Sequence, residues 1–170
     1  MQDYHIHSRL CRHATGDIPE YAEAALKKGI FEIGFSEHIP IPDLDDPTGR
    51  MQIQDFDVYI KDIEKARKQF PELKIRFGLE ADYLPQHMAF IQSFLKSYPF
   101  DYIIGSVHFV DEWDFSNTNL RSCLHGYGAE RLYTTYYDRV CKAAETGLYD
   151  IFGHLDIPKL IVPPPFDVSH

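Results

Sequence analysis

His5-Ile6-His7 is the first place in this sequence where residue type and spacing suggest chemistry. Side chains alternate along a strand, so residues i and i+2 point the same way, about 6.6 Å apart. Two imidazoles so placed can converge on one metal ion while Ile6 faces the opposite layer. His13 follows in a loop able to fold back over the same face. Gly78-Leu79-Glu80-Ala81-Asp82 ends a second apolar stretch. A carboxylate has two oxygens and can bridge metals about 3.5–4 Å apart. Glu80 is therefore a candidate bridge, and Asp82 a neighbour that orients a ligand or caps the loop. His38, His108 and His154 stand in Gly34-Phe35-Ser36-Glu37-His38, Gly105-Ser106-Val107-His108 and Phe152-Gly153-His154. Small residues before each would leave room for a ligand or metal beside the backbone. Any one of these histidines is explained as well by ordinary packing; their joint placement points to metal.

Elements must bring them together. Short apolar segments at 3–7, 32–36, 74–79, 101–107 and 149–153 predict five strands, separated by four helical patterns. The first helix starts at Asp17 with Glu20 three residues on, as in a capping box, and stops at Gly29. The second carries Phe56, Tyr59, Ile63 and Ala66 at helical spacing and ends before Pro71. A third runs from Pro85 to Pro99, and a fourth carries Leu132, Tyr136 and Val140 and closes at Gly147. A loop is expected from His108 to about Gly128, and no helix after the fifth strand. Strand–helix alternation predicts a parallel sheet. Every predicted strand then delivers a histidine or carboxylate to the C-terminal edge, where parallel α/β folds build their sites.

Composition narrows the function classes. With 17 Lys+Arg against 26 Asp+Glu, the net charge is −9, which argues against a nucleic-acid coat. Hydrophobic residues at 44% and charged residues at 25% describe a globular chain. No apolar run approaches the roughly 20 residues a membrane helix needs, and Met1-Gln2-Asp3-Tyr4 does not open a signal peptide. Three cysteines without CxxC spacing (Cys11, Cys123, Cys141) suggest a reducing cytoplasm rather than disulfides. The 170 residues allow one domain, 1–170.

The ordered set His5-x-His7, His13, His38, Glu80, His108 and His154 resembles the polymerase and histidinol phosphatase (PHP) family of metal-dependent phosphoesterases. The segments around His5, His38, Glu80 and His108, with Trp113 and Phe115 beyond, are similar to its histidinol-phosphate phosphatases. The resemblance implies an α/β fold: parallel βα units forming most of a distorted (β/α)7 TIM-like barrel, with about five of seven units present. It implies up to three divalent ions (zinc, manganese or iron). His5, His7 and Glu80 would hold one, Glu80, His108 and His154 a second, and His13 with His38 a third. The family's closing Asp-x-His has no counterpart after His154: Asp156 stands in reverse order, and Asp167 with His170 is differently spaced. An open edge after the fifth strand would then expose apolar surface on which copies could associate.

The activity so implied is hydrolysis of L-histidinol phosphate to L-histidinol and phosphate, in histidine biosynthesis, by a metal-activated hydroxide with no protein nucleophile. The rivals are a PHP phosphoesterase acting on nucleotides or DNA ends, and a catalytically silent metal-binding relative. Arg12 and Arg50, in loops on the same face, and Lys159 are candidates to bind phosphate. Trp113 is a candidate neighbour for the substrate imidazole. Each has a simpler explanation, a solvated charge or a packed aromatic. Cys11, His87 and His125 are not assigned to the site.

Overall fold

Parallel strands need crossovers, and the chain supplies a helix between each pair of sheet strands. The computed structural model describes residues 1–44, 49–111, 113–117 and 124–165, with the side chains of 124 and 125 excepted. β1 (Asp3–Ile6), α1 (Ile18–Lys27), β2 (Glu32–Phe35), α2 (Phe56–Gln69), β3 (Lys74–Asp82), α3 (Met88–Ser97) and β4 (Tyr102–Ser106) follow in order. After β4 come a hairpin of β5 (Phe109–Val110) and β6 (Trp113–Asp114), then α4 (Leu124–Tyr127), α5 (Ala129–Glu145), β7 (Ile151–Phe152) and α6 (Pro158–Ile161). The five-stranded sheet has the order β1-β2-β3-β4-β7, and each of its pairings is parallel.

Local sequence explains the element ends. The Asp17 amide donates to Glu20 Oε2 at 2.7 Å, closing the first turn of α1. At its other end Gly29 has φ +69°, and Ile30 N–H donates back to Ala25 O at 2.9 Å. Helices α1 to α3 cover the outer face of the sheet, burying Phe35, Tyr59, Ile63, Leu79 and Ile91. Each such side chain contributes about 1.5–3 kcal/mol by leaving water. A second cluster joins Val107, Val110, Phe115, Leu132, Tyr136 and Ile157, and so seats the hairpin and α6 against α5.

Three expectations change. The segment after His108 is not all loop, because Phe109 and Val110 pair antiparallel with Asp114 and Trp113. A single helical turn, α6, does follow the last strand. The glycines before the histidines and Glu80 do not leave open space. Tyr102 fills the place of a Cβ at Gly34 and Gly78, Tyr149 does so at Gly105, and at Gly153 a Cβ would meet Ser106 Oγ at 2.7 Å and His5 Cε1 at 3.3 Å. The edge beyond β7 does expose apolar side chains, Ile151, Leu155 and Leu160.

Candidate metal centre

The C-terminal ends of the five parallel strands deliver Glu80 to the middle of a ring of imidazoles. Glu80 Oε2 lies 3.0 Å from His5 Nε2, 3.2 Å from His7 Nε2 and 3.1 Å from His38 Nδ1. Oε1 lies 3.1 Å from His154 Nε2 and 3.6 Å from His108 Nε2, and accepts a hydrogen bond from Ser106 Oγ at 2.5 Å. Neighbouring rings along His5, His7, His38, His108, His154 and back to His5 have centroids 4.6–5.6 Å apart. His13 stands against His7 and His38 at 5.1 and 5.2 Å. All six imidazoles and Glu80 line one cavity of about 520 Å³.

Second contacts fix which nitrogen faces inward. His13 Nδ1 donates to the carbonyls of Cys11 and Gly49 at 2.9 and 3.0 Å, so its Nε2 carries the lone pair. His108 Nδ1 donates to Asp82 Oδ1 at 2.7 Å, and its backbone N–H donates to the same oxygen at 3.1 Å. This carboxylate–histidine pair leaves His108 Nε2 for the centre. Arg50 Nη2 donates to Asp82 Oδ2 at 3.1 Å, so the fully buried Asp82 is paired on both oxygens. Glu37, also buried, accepts from Ser8 N at 2.7 Å, and Cys11 Sγ accepts from His38 N at 3.0 Å. These two bonds tie the loop carrying His7 and His13 to the loop carrying His38.

The electrostatics suit cation binding. Burial, only partly opposed by Glu80, holds His38 well below an ordinary imidazole and therefore neutral. Burial alone would raise the Glu80 carboxyl, but the surrounding imidazoles outweigh it and keep it well below the usual carboxylate range. His108 differs: burial disfavours its charged form, but Asp82 overcomes this and pushes it up to about 9, so a cation at its Nε2 must displace a proton. The three approaches to Glu80 Oε2 lack hydrogen-bond angles. Oε2, His38 Nδ1, His7 Nδ1 and His154 Nδ1 are buried polar atoms with no hydrogen-bond partner. Apart from the contacts of His154 Nε2 with Glu80 Oε1 at 3.1 Å and His108 Nε2 at 3.2 Å, the inward donor atoms crowd one point without bonding one another, as in a coordination site without its cations. Three triads have their donors within 4.8 Å: His5–Glu80–His154, His38–Asp82–His108 and His7–Cys11–His38. Burial, reinforced by Glu37, pushes the Cys11 thiol far up, so Cys11 stays protonated beneath the cluster.

The remaining candidates separate. Arg50 lines the cavity and is buried, with its guanidinium 5.6 Å over the Phe109 ring. Arg12 does not line it; the residue sits at φ +58° with its side chain 3.6 Å from Asp55. Trp113 packs against Tyr127 and Phe115, with centroids at 5.4 and 6.3 Å, away from the cavity wall. Lys159 lies on α6 with Nζ 3.6 Å from Asp156. Asp167, His170 and Cys123 lie outside the described residues. Sequence reasoning did not single out Asp114, Ser116 and Asn117, which form part of the cavity wall. It also passed over Ser106, although alternation from His108 places the two on one face.

Comparison with known proteins gives a consistent picture. The PHP domain matches residues 3–165. A Deinococcus radiodurans protein named "Probable histidinol-phosphatase" is 40% identical over 158 residues, 92% of this chain and 61% of that protein. The Bacillus subtilis histidinol-phosphatase is 33% identical over 189 residues, 99% of this chain and 70% of that protein. The chain thus spans about three fifths of the Deinococcus relative's length. A Lactococcus lactis histidinol phosphate phosphatase, solved with zinc, L-histidinol and phosphate, superposes with a TM-score of 0.71 at 24% identity. That match covers 94% of this chain and 59% of the other. A Listeria monocytogenes structure superposes at 0.83 with 23% identity, covering 94% and 68%.

Proposed function

The chain belongs to the PHP domain family, and on that premise we propose that it is a metal-dependent phosphomonoesterase acting on L-histidinol phosphate. The observation that carries the proposal is the ring of imidazoles with both oxygens of Glu80 at its centre. The names of the relatives support the substrate, as does the L-histidinol and phosphate held by the Lactococcus enzyme. Nucleotide or DNA ends have no such support.

The donor set fits divalent cations. His5 and His7 on the Oε2 side of Glu80, and His108 and His154 on the Oε1 side, would hold two ions bridged by that carboxylate, with His13 and His38 for a third. When bound, such ions screen phosphoryl oxygens and lower the pKa of water towards neutrality. The chain's own groups prepare for this. Ser106 fixes the rotamer of Glu80 by donating to Oε1. Asp82 fixes the tautomer of His108 and, through Arg50 Nη2, the position of a guanidinium on the cavity wall. That guanidinium suits a phosphoryl oxygen. No side chain is set up as a nucleophile among the described residues of the cavity. The Ser116 hydroxyl donates to Asp114 at 2.6 Å and that of Ser106 to Glu80. The two free thiols described, Cys11 and Cys141, suit a cytoplasmic setting.

The test is to strip the protein with a chelator, reload it with Zn²⁺, Mn²⁺ or Fe²⁺, and follow phosphate release. Metal-dependent turnover with roughly tenfold or greater preference for L-histidinol phosphate over nucleoside monophosphates is expected. Metal binding without phosphate release from any ester would overturn the reading.

A further inference from the structure

We propose that Glu37 is a positioning residue: through Cys11 it sets His13 against His38, so that this pair can hold an ion apart from the two that share Glu80. The inference rests on the metal-dependent reading above and deepens it at one of the three ion positions. Glu37 stands just beyond β2, is fully buried, and gives its carbonyl to Glu80 N at 2.9 Å. The segment is thereby registered against the candidate bridge.

Two loops meet at this carboxylate. Glu37 Oε1 accepts from Ser8 N at 2.7 Å, and Ser8 Oγ in turn accepts from Leu10 N at 3.3 Å, capping the helical turn Arg9–Cys11. Cys11 closes that turn, and its carbonyl takes both the His13 amide at 2.6 Å and His13 Nδ1 at 2.9 Å. Its sulfur reaches the other loop and accepts from His38 N at 3.0 Å. Cys11 thus holds His13 by its carbonyl and His38 by its sulfur, and the two rings stand 5.2 Å apart.

Stability alone does not explain a carboxylate here. Among the described residues, Glu37 Oε2 meets no N–H or O–H donor, and its neighbour is the Cys11 thiol, which burial and then Glu37 keep protonated. A buried carboxylate bonded on one oxygen costs more than an apolar side chain of similar shape. What it supplies is direction. A thiol both donates and accepts weakly, and its S–H can rotate. An anion on one side draws the S–H towards itself and turns a sulfur lone pair to the His38 amide. Two imidazoles are few donors for an ion, so its affinity depends on their alignment more than that of an ion gripped by a shared carboxylate.

The experiment uses the full chain, stripped by a chelator and titrated calorimetrically with Zn²⁺, with bound ions counted by elemental analysis. Three variants are compared with the parent. Glu37→Gln removes the charge and keeps an acceptor for Ser8 N; Cys11→Ala removes the thiol; Cys11→Ser restores a donor and an acceptor. In Glu37→Gln and Cys11→Ala one ion of the three should weaken by roughly 10–100-fold while the other two change less than about threefold. Cys11→Ser should recover most of that loss. In metal-free protein, the infrared S–H stretching band that Cys11→Ala abolishes should rise in frequency in Glu37→Gln, because a neutral amide is a weaker acceptor than a carboxylate. Equal weakening of all ions, no weakening, an unmoved band, or a parent protein that binds only two ions would overturn the proposal. If the parent binds three ions but hydrolyses no ester, a third ion that depends on Glu37 keeps this inference while the phosphomonoesterase reading falls.

Discussion

Glu80 is anionic, buried and approached by five imidazoles, so its two oxygens cannot be replaced one at a time without consequence. In Glu80→Gln one oxygen becomes an amide donor, which must meet either the lone pairs on one side or the Ser106 hydroxyl on the other. Elemental analysis after dialysis should show two ion positions weakened together, each by about 10–100-fold, whereas His154→Ala should weaken one. Unchanged metal content in Glu80→Gln would refute the bridge. At this scale the sequence was informative for His5 with His7, where period-two spacing was read, though the same spacing of Ser106 and His108 was passed over. It was silent on Asp114, because a turn closed by its own side chain has no period to detect. It could not place Arg12 or Lys159, whose neighbours Asp55 and Asp156 become evident only in the fold.

Among the elements, the glycines of paired strands admit aromatic rings: Tyr102 lies against Gly34 of β2 and Gly78 of β3. The Tyr102 ring lies where a Cβ at Gly78 would stand 2.2 Å from its Cζ, and its hydroxyl donates to Tyr4 O at 2.6 Å. Gly78→Ala must displace that ring, at a cost of about 1–3 kcal/mol. Urea unfolding should show this loss, and Gly126→Ala, with nothing within 4 Å, should not. The helices were legible because their apolar periods are long, and the parallel sheet because strands and helices alternate; the order of the strands was not read from the sequence. The hairpin was not, because two-residue strands are too short to alternate. β7 is shorter than its apolar run implied because Asp150 intervenes: its Oδ2 takes the amide of Ile103 at 2.8 Å before the regular ladder begins. Asp101 does the same for Phe77 N at 2.8 Å beside β4.

Across the whole molecule, the end of the sheet opposite the imidazoles is joined by a different charge cluster. Glu32 of β2 accepts from Tyr4 Oη of β1 at 2.9 Å and from Arg76 Nε of β3 at 2.9 Å, with Lys74 Nζ at 3.3 Å. Arg76 first, then Tyr4, bring its pKa down to about 2 against a small opposing effect of burial. A carboxyl depressed on folding stabilises the native state above its unfolded pKa of about 4.3, and that contribution disappears as pH falls towards 2. Thermal melts of metal-free protein should therefore lose stability less steeply over that window in Glu32→Gln than in the parent. An unchanged acid limb would count against the cluster. The order of strands has one more consequence, for the time at which the site comes into being. β1 and β7 are the two outermost strands, yet the His5 and His154 rings lie 5.6 Å apart. Five of the six cavity histidines have been synthesised by residue 108, but the ring closes only when the most distant contact in the sequence forms. Such contacts form late because a long loop must first be ordered. A nascent or partly unfolded chain thus carries most of the donors without the complete cage, which couples full metal capture to the last step of folding.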